Sequence, residues 1–366
     1  MTVADPSTTA TKPATRRVVG HGEALRVQLR PIAPLLSKPD TTDVAINRPG
    51  EAWVENDCGW HRVELPEMTM VALRSLARLI ATFNAQTLNE VNPTLSGALP
   101  DGERVQVMIA PAVSLDQLSI TIRKPSTTVK TRAEYEAENL MADIRDIGKD
   151  LSTVDQSLLD LKAKRQFWDF LELAVRARKN IVISGATGSG KTTLSKTLAT
   201  FIPASERLVT IEDVREIELP CHPNQINLLY SAGGTGTTTV EAKELLQACL
   251  RMKPSRILLA EIRSKVAYEY IVNVSSGHPG SITTVHAGSC HEAFEMLGLR
   301  MLESAEGREL SREDIMGLLR SKVDIIIQIA VIDQPTPDRS ALDIQVSKVR
   351  RITEIFYEPG LSSAWA

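Results

Sequence analysis

The chain has 366 residues, of which 43% are hydrophobic and 24% charged, and its formal net charge is -3. This length exceeds the usual size of one hydrophobic core and predicts two domains, while the composition excludes a fibrous or wholly disordered protein. The small net charge disfavours a strongly basic DNA-binding protein, because no overall field draws the chain to nucleic acid.

Residues 1–22 are rich in Thr, Ala and Pro and lack the apolar stretch of a secretory signal, so they are predicted to form a disordered arm. The four cysteines are widely spaced and form no CxxC pair, which indicates reduced thiols in a cytoplasmic protein. The longest apolar runs are far shorter than the roughly 20 residues that span a bilayer. We therefore expect any contact with the inner membrane to be peripheral.

Residues 23–124 are predicted to form a small α+β N-terminal domain. Apolar residues recur at three- and four-residue steps over 23–36 and 70–85, which is the period of amphipathic helices. Short apolar segments bounded by turn-forming residues indicate strands. Three of them should form an antiparallel meander and two more follow, at residues 43–47, 52–56, 60–65, 104–109 and 118–122.

Residues 125–155 are polar and charged and are predicted to be an interdomain linker with some helix. In residues 156–366, helix-like and strand-like segments alternate, beginning with a helix over 157–178. Such alternation is typical of a mainly parallel sheet covered by helices. The C-terminal domain is therefore predicted to be α/β, with strands at 181–184, 208–211 and 257–260 and further helices at 192–201 and 241–251.

The strongest signal is GATGSGKT, a complete GxxxxGK[ST] phosphate-binding loop between an apolar strand and a helix-forming stretch. Its glycines let backbone N–H groups converge on phosphate, and the helix N-terminus adds its positive end. Lys191 should reach the β- and γ-phosphates, and Thr192 should offer a hydroxyl to Mg²⁺. The predicted nucleotide-binding residues are Gly185, Ala186, Thr187, Gly188, Ser189, Gly190, Lys191, Thr192 and Thr193.

Two further apolar segments end in acids, which a hydrolytic P-loop enzyme needs beside its metal and its attacking water. Glu261 ends one of them and has no neighbouring aspartate to hold the metal. Glu212 and Asp213 end the other and are candidates for a metal or water role in the same crevice. For either acid taken alone, a helix N-cap or a solvated turn stays open as an alternative.

The segment SGHPGSITTVHA places His278 and His286 on either side of a short strand. A donor of this kind suits a sensor of the γ-phosphate of the nucleotide. We do not expect these two histidines to form a metal site.

Four blocks in this order resemble the traffic ATPases of type IV secretion and conjugative DNA transfer: GATGSGKTT, TIEDVREIEL, LRMKPSRILLAEIR and SGHPGSITTVHA. The resemblance covers about residues 25–355 and implies a RecA-like P-loop NTPase domain behind the smaller N-terminal domain. It also implies a homohexameric ring that holds ATP and Mg²⁺ between the two domains. In this comparison Lys191 and Thr192 belong to the phosphate loop, Glu261 is the general base and His286 is the sensor.

The same resemblance assigns Arg104 and Arg123 to a contact with phosphate across the domain interface. An arginine supplied in this way would stabilise the charge of the transition state. Exposed strand arginines are commonly solvated or weakly paired, and this alternative stays open.

The function implied by the resemblance is an ATP-hydrolysing motor for substrate transfer or pilus assembly, working with inner-membrane components of a type IV secretion system. A nucleotide-gated docking platform with slow turnover is the first alternative. A nucleic-acid translocase is the second, and it is disfavoured because only 4% of the residues are aromatic and no basic stripe accompanies them. Nucleic acid is therefore not expected as an obligatory partner.

Overall fold

The computed structural model describes residues 19–126, 129–144, 151–231, 240–263, 266–275, 277–336 and 345–359. The predicted arm lies outside these ranges up to residue 18. Its last residues, from Val19 onward, already belong to the first helix. None of the helices in the described ranges is long and apolar enough to cross a membrane.

The N-terminal half folds into one antiparallel sheet with helices packed against it. Its elements are α1 (Val19–Gln28), α2 (Ala33–Leu36), β1 (Asp43–Ile46), β2 (Gly50–Asn56), β3 (Gly59–Leu65), α3 (Met70–Phe83), β4 (Thr94–Ala98), β5 (Arg104–Met108) and β6 (Ser119–Arg123). The strand order is β3-β2-β1-β6-β5-β4. Leu73, Leu76 and Ile80 form a buried stripe on α3, and Leu25 of α1 joins them in the core.

The segment between the two halves contains α4 (Arg132–Ala137), which has no buried residue and starts with a capping box at Thr131. The next helix, α5 (Thr153–Ala163), begins inside the range predicted as linker. The single helix predicted over 157–178 is wrong, because the chain turns at Arg165 with a φ of 58° and a separate helix α6 (Phe167–Arg176) follows.

The C-terminal half is a seven-stranded sheet with helices on both faces, and it confirms the predicted α/β class. Its elements are β7 (Ile181–Ser184), α7 (Lys191–Ala199), β8 (Leu208–Glu212), β9 (Gln225–Leu229), α8 (Ala242–Cys249), β10 (Arg256–Leu259), α9 (Val266–Ser275), β11 (Ile282–Val285), α10 (Cys290–Leu302), a 3₁₀ turn (Gly307–Glu309), α11 (Arg312–Lys322), β12 (Ile325–Thr336) and β13 (Gln345–Tyr357). The order is β13-β12-β7-β11-β10-β8-β9, and only the pairing of β12 with β13 is antiparallel.

Both faces of this sheet are buried. Val182 of β7 belongs to the core formed with α8 to α11, whereas Ile181 and Ile183 belong to the core formed with α5 to α7. A strand covered on both faces reads as a continuous apolar run, which is why the sequence IVIS predicts a strand although it lacks alternation.

The two halves contact each other through backbone and buried side chains. The Leu229 N–H donates to the Ala112 carbonyl oxygen at 2.8 Å. Arg207 is fully buried and donates to Asn47 Oδ1 at 2.9 Å and to Asn224 Oδ1 at 2.7 Å. The start of β8 is thereby tied to the first sheet.

Candidate active site

Four adjacent strands of the parallel sheet carry predicted site residues just beyond their carboxyl ends. The phosphate loop follows β7, His286 follows β11, Glu261 follows β10 and Asp213 follows β8. Because the carboxyl ends of parallel strands lie at one edge of a sheet, residues from four separate segments meet in one crevice.

The phosphate loop turns sharply between β7 and α7. Gly188 and Gly190 have φ values of 77° and 99°, a conformation that residues with a Cβ rarely adopt. A Cβ on Gly185 would lie 2.4 Å from the carbonyl oxygen of Ile329 on β12. The loop backbone therefore packs directly against β12, and the N-terminus of α7 follows at once.

Lys191 is the first residue of α7, and its side chain is buried against the loop. Its ammonium donates to the carbonyl oxygen of Gly185 at 2.7 Å and to that of Ala186 at 3.1 Å. Burial lowers the pKa of Lys191, and the nearby charge of Glu261 offsets part of this effect. The loop carbonyls thus hold the ammonium within the loop that is expected to surround phosphate.

His286 connects Lys191 to Glu261. Its Nδ1 lies 3.1 Å from Lys191 Nζ, and its Nε2 lies 3.1 Å from Glu261 Oε1. An ammonium only donates and a carboxylate only accepts, so the ring accepts at Nδ1 and carries its proton at Nε2. Arg263 donates to Glu261 Oε2 at 2.9 Å and also to Asp213. A continuous chain of polar contacts therefore runs from the phosphate loop to Asp213.

These groups line one cavity of about 400 Å³. The structure brings most of the predicted site residues together there: Thr187, Gly188, Gly190, Lys191, Thr192, Thr193, Asp213, Glu261 and His286. The remaining loop residues do not line the cavity; Gly185 and Ser189 are buried, and Ala186 is exposed.

Glu212 does not reach this cavity, contrary to the prediction of a metal or water role. Its buried carboxylate accepts hydrogen bonds from Thr210 Oγ1 at 2.6 Å and Asn227 Nδ2 at 3.1 Å. It also accepts from the backbone N–H groups of Glu216 and Ile217, both at 2.7 Å. A carboxylate satisfied in this way shapes the turn after β8 and leaves Asp213 as the acid that faces the cavity.

The two arginines assigned to phosphate lie on the first sheet, and neither lines the cavity within the described part of the chain. Arg104 and Arg123 stand opposite each other in the pairing of β5 with β6. Arg123 binds Asp43 with Nε 2.9 Å from the carboxylate, while Arg104 is exposed. Their contact with phosphate stays a prediction, and it requires either a second copy of the chain or a movement of the N-terminal half.

Two arginines outside the predicted site residues also line the cavity. Arg263 ends the block LRMKPSRILLAEIR, two residues after Glu261, so the side-chain alternation of an extended segment is the signal that could have indicated it. Arg350 lies on β13 and donates to the carbonyl oxygen of Gly188, 162 residues away in the chain, at 3.4 Å. No local sequence pattern predicts a contact between two residues that are so far apart in the chain.

The oxygen donors of the cavity fit Mg²⁺. The Thr192 hydroxyl and the carboxylates of Asp213 and Glu261 line it, and hard cations prefer oxygen ligands. The described residues contain no group of three or more His, Cys, Asp or Glu side chains that would form a metal site by itself. A Mg²⁺ ion here would take much of its coordination from water and nucleotide phosphates, as this ion commonly does.

Known proteins are similar to this chain over almost its whole length. The family described as Type II/IV secretion system protein matches residues 26–354. The type IV secretion system protein VirB11 of Bartonella henselae is 40% identical over 343 residues, which cover 91% of this chain and 92% of that protein. PtlH of the Bordetella pertussis type IV secretion system is 37% identical over 334 residues, covering 91% and 95% respectively.

A solved structure agrees with these sequence relationships. The crystal structure of the VirB11 ATPase from the Brucella suis type IV secretion system, in complex with sulphate, has a TM-score of 0.84 to this chain. The two are 40% identical, and the match covers 93% of this chain and 99% of the other. The likeness therefore includes both halves of the fold.

Proposed function

The chain belongs to the Type II/IV secretion system protein family and is an ATPase of the type IV secretion kind, and from this premise we propose that Mg²⁺-dependent ATP turnover in it drives a secretion machine. The relatives with 37% and 40% identity are named as type IV secretion proteins, and the Brucella suis relative is named as an ATPase. The Mg²⁺ requirement, the coupling to transport and the roles of single residues belong to our proposal.

The observation that supports it best is the contact chain from Lys191 through His286 to Glu261. These residues come from three segments and lie in one cavity at the N-terminus of α7. A base, a polar sensor and a cation within hydrogen-bond reach of one another can bind a triphosphate and respond to its γ-phosphate.

The residues would act as follows. Lys191 exchanges its carbonyl partners for phosphate oxygens, and the N–H groups at the start of α7 hold the remaining oxygens. Glu261 orients a water and accepts its proton at a carboxylate oxygen. Thr192 and Asp213 would hold Mg²⁺, which neutralises charge on the phosphates when it is bound. His286 contacts both Lys191 and Glu261, so a change at the phosphate reaches the base through it.

The proposal extends to the assembly. We infer a homo-oligomeric ring, expected to be a hexamer, at the cytoplasmic face of the inner membrane, where components of a type IV secretion system bind it. Family membership supports this inference. Arg104 and Arg123 remain candidates for a contact with the nucleotide of a neighbouring copy, and nucleic acid is not required.

ATP binding and phosphate release by purified protein test the ATPase part. Lys191→Ala should abolish binding, and Glu261→Gln should keep binding but lower kcat by about 10² to 10⁴, as is typical for the loss of a general base. Glu64→Gln, an exposed carboxyl on β3, is the matched control and should change neither quantity. Undiminished phosphate release after Lys191→Ala would refute the assignment of the site.

The same Glu261→Gln variant separates a motor from a docking platform. In cells that assemble the secretion system, a motor stops when turnover stops, so secretion should be lost although ATP still binds. Secretion that survives in this variant would favour a nucleotide-gated platform. ATPase activity stimulated by single-stranded nucleic acid and weakened steeply by salt would favour a translocase.

A further inference from the structure

We propose that Arg350 is a nucleotide-contacting residue that binds a phosphate group of ATP beside the phosphate loop. The inference rests on the proposed function. It adds to the site a residue from the antiparallel pair β12 and β13, which contains none of the sequence motifs.

The sheet topology brings this pair of strands to the loop. β12 pairs with β7 only over Ile325–Gln328 and then continues past the point where β7 gives way to the phosphate loop. β13 returns antiparallel to it, with Arg350 opposite Val331. The residue therefore lies level with the loop, beyond the end of the β7 strand.

The contacts of Arg350 fix its side chain at this place. A Cβ on Gly190 would be 3.0 Å from Arg350 Cδ, so the aliphatic stem lies over the glycine where another side chain would not fit easily. The Nη2 atom donates to the Gly188 carbonyl oxygen at 3.4 Å, and the residue lines the cavity. The guanidinium is thus held at the rim of the loop expected to surround phosphate.

The charge of Arg350 has no counter-ion among the described residues, whereas the other cations of the cavity are engaged. Lys191 donates to loop carbonyls, and Arg263 binds two carboxylates. Arg350 is exposed, and its one long contact with a carbonyl leaves most of its N–H donors unused. A guanidinium with unused donors beside a phosphate loop is suited to a bidentate contact with phosphate oxygens.

A planar guanidinium can also stack on an aromatic base, so adenine is the competing contact. The position of Arg350 favours phosphate, because its neighbours Gly188 and Gly190 belong to the turn whose backbone encloses phosphate. A substitution of Arg350 by lysine distinguishes the phosphate contact from the adenine contact. Lysine keeps the charge that phosphate requires but loses the plane that stacks.

Titration of the full-length chain with ATP and GTP in the presence of Mg²⁺ tests the assignment. Arg350→Ala should weaken ATP binding about tenfold, in line with the loss of a charge-assisted hydrogen bond. Arg350→Lys should recover part of the affinity, because it keeps the charge but loses the bidentate fork, and the ratio of ATP to GTP affinity should stay constant. Arg351→Ala is the matched control, because the next residue of the strand is exposed, lies outside the cavity and should bind ATP like the wild type.

The outcomes distinguish this inference from the proposed function. If the wild type does not bind ATP, the proposed function fails whatever Arg350 does. If the wild type binds and Arg350→Ala binds equally well, only the assignment of Arg350 is overturned. Loss in both Arg350→Ala and Arg350→Lys with an altered ATP to GTP ratio would overturn the phosphate contact in favour of base stacking. Thermal unfolding without nucleotide should match the wild type for each variant, because the side chain is exposed.

Discussion

Arg263 holds two acids at once, which makes it a positioning residue for Glu261. Its guanidinium donates to Glu261 at 2.9 Å and to Asp213. The hydrogen bond to Glu261 raises the pKa of Arg263 above its already high ordinary value, so it stays charged at any pH of interest. Without this cation the two carboxylates would share a cavity with less positive charge beside them.

We therefore expect Arg263→Ala to lower kcat for ATP hydrolysis about tenfold to hundredfold while the KM for ATP changes less, because the arginine contacts the proposed base. Steady-state ATP hydrolysis measures both quantities. Arg263→Lys should recover part of kcat, and Arg215→Ala, outside the cavity, should leave both quantities unchanged. An unchanged kcat for Arg263→Ala would show that the arginine does not position Glu261.

Gly185 is a second residue whose identity follows from its surroundings. Besides the Ile329 carbonyl at 2.4 Å, an added Cβ would meet Ser189 Oγ at 2.6 Å. Gly185→Ala should therefore displace the loop or β12, lower the free energy of unfolding by about 1–3 kcal/mol and weaken ATP binding. Urea unfolding and nucleotide titration measure the two effects. Gly22→Ala, where the nearest atom is a Phe83 ring carbon at 3.6 Å, should cost nothing, and equal behaviour of both variants would contradict the packing argument.

At the scale of elements, one carboxylate of α5 connects this helix to β13 and to the segment before β7. Asp155 Oδ1 accepts from the Tyr357 hydroxyl at 2.7 Å and lies 2.6 Å from Lys179 Nζ, while Ser152 donates to its other oxygen at 2.7 Å. Burial alone would raise the pKa of Asp155, but these hydrogen bonds outweigh it and lower the pKa below the usual value. The charged form is therefore the one that stabilises the contact of α5 with β7 and β13.

Asp155→Asn should lower the free energy of unfolding by about 1–2 kcal/mol at neutral pH. A carboxyl whose pKa is lowered by folding contributes stability above its unfolded value of about 4 and loses it as the pH falls through the folded value. The difference in the free energy of unfolding between wild type and variant should accordingly be largest at neutral pH and become smaller as the pH falls. Urea unfolding at several pH values tests this. Asp160→Asn, exposed on the same helix, is the control, and a pH-independent difference for Asp155→Asn would contradict the pKa argument.

The elements that the sequence predicts are those whose signal is local. β7, β8 and β10 are apolar runs bounded by turn residues, and they are found close to where the pattern indicates. β4 is absent from the sequence prediction because Thr94–Ala98 contains a glycine and only one large apolar residue, so that its pairing with β5 defines it as a strand. β12 and β13 are also absent from the sequence prediction. β12 begins as an apolar run and β13 mixes apolar and charged residues, so their long antiparallel pairing is what defines them as strands.

The residues of the candidate site can be divided in the same way, into those with a local sequence signal and those whose role depends on contacts in the fold. The phosphate loop, Glu261 and His286 follow motifs in contiguous sequence, and the structure brings them together. The choice between Glu212 and Asp213 depends on the turn after β8, where the N–H groups of Glu216 and Ile217 and the Asn227 amide of β9 donate to the Glu212 carboxylate. Arg350 depends on the antiparallel pairing of β13 with β12 at the far edge of the sheet. Three-dimensional contacts therefore decide what the motifs leave open.

At the scale of the whole molecule, Arg207 connects the nucleotide-binding sheet to the N-terminal half. Burial lowers its pKa to about 10, and its hydrogen-bond partners are neutral groups: Asn47, Asn224, Thr121 and the Met252 carbonyl. Its guanidinium also lies 5.5 Å from the centre of the Trp60 ring. A buried cation of this kind is costly to desolvate, so its hydrogen bonds across the interface must offset that cost for the two halves to stay together.

Arg207→Met tests this connection, because it keeps an apolar stem of similar length and leaves Asn47 Oδ1 without its donor, whereas Asn224 Oδ1 still accepts from Asn47 Nδ2 at 3.0 Å. We expect the free energy of unfolding to fall by about 1–3 kcal/mol, and calorimetry to resolve separate transitions for the two halves. Arg48→Ala is the control, since it removes an exposed donor to the Pro223 carbonyl in the same interface, while its other partner Glu51 keeps Arg62, and it should cost less than about 1 kcal/mol. If Arg207→Met unfolded in one transition at the wild-type midpoint, the halves would be held together by their apolar contacts alone. Coupling between nucleotide turnover and the N-terminal half would then have to pass through those contacts instead of β8.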